Sequence, residues 1–155
     1  MNPTPNVQAA SNRRDVLPNS TKEPSVAYTM QLDPVLGILD LRYHGVVSVA
    51  QRRQAATEAV PLLRDSGVRR ILIDLMQATA APDTIDDFRA FAAHITREPL
   101  FLQSRTAFVA PPVNYTNHLI EVLVDAHHYP FSRFSERAQA IAWLLGDEPT
   151  SGLRD

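Results

Sequence analysis

The segment Arg69-Arg70-Ile71-Leu72-Ile73-Asp74-Leu75 is short, apolar, rich in β-branched residues and bounded by charge. That pattern describes a strand buried on both faces at the centre of a sheet. Met76 to Asp83 reads as a loop, and Thr84-Ile85-Asp86-Asp87-Phe88 opens a helix. In an open α/β sheet, ligands and partners sit in the crevice beyond the carboxyl ends of the strands. The junction from Met76 to Thr84 therefore places the expected functional surface.

The flanking sequence repeats the strand-then-helix unit. Val26, Tyr28, Met30 and Leu32 alternate with polar or small residues, as in a half-buried strand. Asp33-Pro34 marks a turn, and Val35 to Tyr43 makes a second strand, antiparallel to the first. Ser48 caps a helix that ends at Gly67, with Pro61 expected to kink it or restart its last turn. The Thr84 helix carries Ile85, Phe88, Phe91, Ala92 and Ile95 as its apolar stripe. Arg105 to Val109 is another buried strand, followed by a loop from Ala110 to Thr116 and a helix opened by Asn117. Pro130 to Phe134 is the last strand, and Ser135 caps a final helix that stops at Gly146. The order β-β-α-β-α-β-α-β-α predicts a single-domain α/β fold with a mixed, mostly parallel sheet and flanking helices. Residues 1–24 read as a flexible tail, 25–147 as the domain and 148–155 as a short C-terminal tail.

The hairpin, the "ILIDL" strand, the later "RTAFVA" strand and the closing "FSRFSERAQAIAWLLG" resemble the SpoIIAA-like, or STAS-like, domain family over roughly residues 26–146. The ending is the most specific part. Phe134, Ser135, Glu136, Ala138, Ala142, Trp143 and Leu144 are similar to the family's F-x-D-x-x-x-A-x-x-W-L close. The resemblance implies a bacterial, non-enzymatic signalling or interaction module. Some such members are switched by phosphorylation of a Ser or Thr after the third strand. Asp83-Thr84 falls where the Asp-Ser pair of those members lies, so Thr84 is the regulatory phosphorylation candidate. Those members follow the serine with a small residue and glycine. Here Ile85-Asp86-Asp87 stands instead, and the switch does not carry over on sequence alone.

Composition narrows the chemistry. There is no cysteine, which removes disulfides, thiolate nucleophiles and Cys-ligated metal centres. A net charge of −2 provides no field for nucleic acid. No run is long and apolar enough for a membrane span, and residues 1–22 lack the apolar core of a signal peptide. A cytoplasmic location is the expectation. Fourteen of the fifteen basic residues are Arg, scattered along the chain as expected for surface cations.

No catalytic constellation stands out. Thr84 with Asp87 three residues on fits a capping box, and Asp86 complements the helix dipole. Asp74, Asp83, Asp86 and Asp87 lack the spacing of a cation loop. No glycine occurs from Val68 through Leu145, so no Gly-rich phosphate loop is present. His44 and His94 sit in no metal-binding motif, His127 and His128 are adjacent, and His118 is placed to pair with Glu121. Neither a metal nor a cofactor is expected.

The leading expectation is a non-catalytic module that binds a protein or small ligand through Gln77, Thr79, Asp83, Thr84, Asn114 and Tyr115. The alternative is a small-ligand or lipid carrier, or a weak enzyme, with a pocket between helices and sheet. A homodimer formed through Phe101, Leu102 and Tyr129 is a third reading.

Overall fold

The computed structural model describes residues 27–112 and 115–146, with backbone alone at 115–117. Both expected tails, 1–24 and 148–155, lie outside the described residues. Five strands form one sheet in the order β1 (Tyr28–Asp33), β2 (Ile38–Val47), β3 (Arg70–Ala80), β4 (Arg105–Val109) and β5 (Phe131–Phe134). β1 is the antiparallel edge, and every other neighbouring pair is parallel.

The connections carry α1 (Val49–Ser66), α2 (Ile85–Thr96), the short α3 (Pro99–Leu102) and α4 (Tyr115–Asp125), and α5 (Arg137–Leu144) closes the domain. On one face of the sheet, Leu39 and Ile71 pack with Leu63 of α1, Phe88 and Phe91 of α2 and Ile120 of α4. On the other, Ile38, Leu72, Ala107 and Val109 pack with Ala140 and Leu144 of α5. Alternation along each strand makes this possible, because successive side chains point to opposite faces. Leu39, Leu72 and Leu75 are fully buried, each removal from water contributing about 2 kcal/mol.

Local signals set the boundaries. Asp33 Oδ1 accepts from the amides of Val35 and Leu36 at 3.0 Å, and Gly37 takes a positive φ of 67°, which together turn β1 into β2. Ser48 and Gln51 form a reciprocal capping box at the start of α1. Gly67 ends that helix in the left-handed conformation, its N–H bonded to the Leu63 carbonyl at 3.0 Å.

Several expectations are corrected. β2 begins at Ile38 rather than Val35, since residues 34–37 are consumed by the turn. α1 does not restart at Pro61 but runs through it as one helix. α4 starts at Tyr115, before Asn117. Ser135 does not cap α5: Glu136 occupies the cap position and makes no side-chain cap bond. Ile85 is 44% exposed, and the buried stripe of α2 is Phe88, Phe91, Ala92 and Ile95. α3 had no sequence signal beyond Pro99, which occupies a first-turn position where its missing N–H costs nothing.

The largest correction concerns Met76 to Asp83. β3 does not end at Leu75 but continues to Ala80, leaving only Ala81 to Asp83 as loop. The ladder with β2 pairs Arg42 with Asp74 and then His44 with Gln77, so Leu75 and Met76 together face Tyr43 in a bulge. Asp74 Oδ1 accepts from the Met76 amide at 3.0 Å, which satisfies a backbone donor that the irregular ladder leaves out. Beyond the bulge the facing of the strand shifts by one. Ala78 joins the cluster of Leu41, Tyr43, Val47 and Leu75, while Gln77 and Thr79 turn to solvent.

Candidate functional site

At the carboxyl ends of the strands, β3 outruns β4. Val109, the last residue of β4, pairs with Asp74, whereas β3 proceeds for six more residues. Over Gln77 to Ala80 its ladder partner among the described residues is β2 alone, through His44 to Val47. The result is a two-stranded arm projecting from the sheet. Met76 is 42% exposed and Val46 61%, and Gln77, Thr79 and Ala80 are exposed with them. The Thr79 hydroxyl lies 3.4 Å from the Gly45 carbonyl.

The helix starts converge at the base of this arm. Asp83 Oδ2 accepts from the Val49 amide, the first of α1, at 3.0 Å. The neighbouring Thr84 caps α2: its Oγ1 accepts from the Asp87 amide at 3.1 Å, and Asp87 Oδ2 accepts from the Thr84 amide at 2.9 Å. Two adjacent residues thus satisfy orphan donors at the starts of two helices. Beneath them the buried Arg52 guanidinium lies 5.3 Å from the Tyr43 ring centroid. Burial pulls the Arg52 pKa down, and Tyr43 and Asp83 oppose that by favouring its charge.

On the α5 face a second charged cluster supports the arm. Arg137 donates to Asp74 Oδ2 at 2.9 Å and to Asp40 Oδ2 at 2.6 Å, and Asp40 also meets Arg42 at 3.2 Å. Burial alone would pull the Arg137 pKa down, but its hydrogen bonds to Asp40 and Asp74 and their charges raise it overall. No sequence signal identified Arg137 as a partner of either acid, since they lie 97 and 63 residues away.

The acids considered for a cation are individually committed. Asp74 serves Met76 and Arg137, Asp83 serves Val49, Asp87 serves Thr84, and Asp86 lies 3.5 Å from Arg89. Among the described residues no three His, Asp or Glu side chains are grouped to hold a metal ion. Glu121 is buried and pairs with Arg133 at 3.1 Å instead of His118, because α4 turns it toward β5.

Of the expected surface, Gln77, Thr79, Asp83 and Thr84 fall together at this end of the sheet. Asn114 and the Tyr115 side chain lie outside the described residues. The expected dimer patch is corrected: Phe101 and Tyr129 are buried, with Tyr129 hydroxyl 3.1 Å from Thr106 Oγ1, and only Leu102 remains exposed. Between α1 and the sheet lies an apolar cavity of about 50 Å3 lined by Leu39, Ala55, Ala59, Ile71 and Phe108, with Arg52 and Tyr43 at its polar side. Ligand pockets for drug-sized molecules are roughly 300 Å3 or more, so this space admits a very small guest. No helix among the described residues is long and apolar enough to cross a membrane.

No family model matches the sequence, and no curated protein matches it. Among solved structures the chain is similar to an uncharacterised protein of the DUF3478 family from Shewanella loihica PV-4, described as having a SpoIIAA-like fold. The two share 13% identity with a TM-score of 0.53, over 81% of this chain and 99% of that one. Antiparallel edge, parallel core, helices on both faces and this likeness agree: the chain has a SpoIIAA-like fold.

Proposed function

We propose that the chain is a non-catalytic, STAS-like regulatory or interaction module, cytoplasmic, that engages a protein or small ligand at the carboxyl ends of its strands. The β2–β3 arm is the observation that carries this reading. A strand outrunning its neighbour offers backbone donors and acceptors to an incoming extended segment, and outward side chains supply selectivity. Met76, Gln77 and Thr79 are such side chains. Thr84 adds a point of control. It is exposed, and a phosphate there would displace the capping hydroxyl and repel Asp83, Asp86 and Asp87.

Site-specific photo-crosslinking in the source cells tests the surface. A photoreactive residue at Thr79 is expected to give a discrete adduct that the same probe at Asp65, at the far end of the sheet, does not give. The adduct is expected to vanish when Gln77 to Pro82 is scrambled. Identical adducts from both positions, or an adduct indifferent to scrambling, defeats the reading.

The cavity under α1 favours a second reading, a carrier of a small apolar molecule. Its size limits an occupant to a few heavy atoms unless the helices separate. Native mass spectrometry showing only bare polypeptide would count against it.

A further inference from the structure

At the opposite end of the sheet, the amino ends of β3 and β4 open onto a pocket of about 520 Å3. Gly37, Gly67, Arg69, Arg70, Arg105 and Gly146 contribute to its walls, and no carboxylate occurs among its described lining residues. The volume is that of a small-molecule site.

Each of the three guanidinium groups is held in place. Arg69 donates through Nη1 to the Leu63 and Val68 carbonyls, both at 2.7 Å. Arg70 Nε donates to the Leu144 carbonyl at 2.8 Å. Arg105 lies over the Trp143 ring at 4.1 Å from its centroid, and its guanidinium hydrogen-bonds to none of the described residues. All three are half-buried. None makes an ion pair with a described residue, whereas Arg42, Arg64, Arg89, Arg133 and Arg137 all reach a carboxylate.

Carbonyls and a ring fix the positions of these cations without neutralising them. Leu63 and Leu144 belong to the last turns of α1 and α5, and each helix end carries roughly half a negative charge. Among the described residues, three unit charges against two such ends leave roughly two positive charges facing the pocket. Asp65, beside the lining residue Ser66, is paired with Arg64 at 3.2 Å, and Asp147 and Glu148, which follow Gly146, lie outside the described residues. A guanidinium has five N–H donors in a planar fork, and the carbonyls occupy only one nitrogen each on Arg69 and Arg70.

The geometry points to a binding site for a small phosphorylated molecule, its dianionic phosphate gripped by Arg70 and Arg105 with Arg69 alongside. A single carboxylate would cancel half of the excess charge, and a phosphate dianion matches it. Arginine forks suit phosphate oxygens because parallel N–H groups meet two of them at once. The phosphate belongs either to a soluble metabolite or to a lipid headgroup.

Trp143 is the single tryptophan of the chain and stacks on Arg105, so its emission reports occupancy directly. The full chain is titrated with inorganic pyrophosphate at fixed ionic strength, and in parallel sedimented with phosphatidylcholine vesicles with and without phosphatidic acid. A saturable emission change is expected with pyrophosphate, about ten-fold or more weaker in Arg70→Gln and Arg105→Gln and unchanged in Arg89→Gln. Arg105→Lys, which keeps the charge and loses the fork, is expected to fall between, and it guards against a Gln variant that fails to fold. Binding only to phosphatidic acid vesicles, with the same Arg dependence, supports the site and assigns the headgroup source. No binding in either arm, or binding indifferent to both Gln substitutions, overturns it.

Discussion

Arg137 on α5 donates to the Asp74 carboxylate on β3 at 2.9 Å, and the other half of that carboxylate accepts from the Met76 amide at 3.0 Å. One buried acid therefore fixes both the seat of the last helix and the bulge from which the β2–β3 arm projects. Asp40 enters the same cluster at 2.6 Å, so a single cation answers two carboxylates.

Removing that cation leaves both acids without their shared partner. Arg137→Met is expected to lower unfolding free energy by about 2–3 kcal/mol, somewhat less than a fully buried pair because Arg137 retains partial solvent access. Adding Asp40→Asn and Asp74→Asn to the same chain should recover most of the loss. Urea unfolding of the single and triple variants measures this, and equal instability in the two refutes a charge-based account.

Two buried tyrosines predict alkaline instability. Burial pushes the Tyr43 and Tyr129 hydroxyls up to about 12, from an ordinary value of 10.0. The unfolded chain loses these protons near the ordinary value, whereas the folded chain retains them. Their contribution is complete below pH 10 and is lost as pH rises toward 12. Thermal melts from pH 8 to 12 should show a fall that Tyr43→Phe with Tyr129→Phe flattens; Tyr129→Phe also removes the contact with Thr106.

Thr84→Ala removes the α2 cap and is expected to cost about 1 kcal/mol, while Thr84→Ser is nearly neutral. Thr84→Glu should cost at least as much as Ala, since it adds charge beside Asp83, Asp86 and Asp87. Chemical denaturation of the three variants orders them, and a Glu variant more stable than wild type contradicts the repulsion assigned to a phosphate at this position.

Asp83→Ala should loosen the first turn of α1, since Asp83 accepts the Val49 amide across 34 residues of sequence. A loss of about 1 kcal/mol is expected, with faster amide exchange at Val49. Unchanged exchange there would show that Asp83 does not hold the helix start.

The sequence made the fold legible wherever local chemistry and tertiary packing agree. Asp33, Ser48, Gly67 and Thr84 each mark the boundary they form, because turns and caps are made by residues close in sequence. The extension of β3 was illegible for a physical reason. Met76-Gln77-Ala78-Thr79-Ala80 contains few strong strand formers and is held by pairing with His44 to Val47, a distant segment. The bulge also broke the alternation that would otherwise have marked the strand. Site residues followed the same division. Thr84 and Asp87 could be found from spacing alone, whereas Arg137 with Asp40 and the three arginines of the amino-end pocket meet only after folding.

The extra residue at Leu75–Met76 is confined to the bulge. Deleting Met76 would set Leu75 alone against Tyr43 and leave Gln77 on His44, so Gln77 and Thr79 would stay outward and Ala78 inward. The bulge is therefore a reserve of one residue, and the loss of one codon there is absorbed with the outward face of the arm and the core upstream both kept. Length can change at this point of the fold while the surface that the arm presents stays the same.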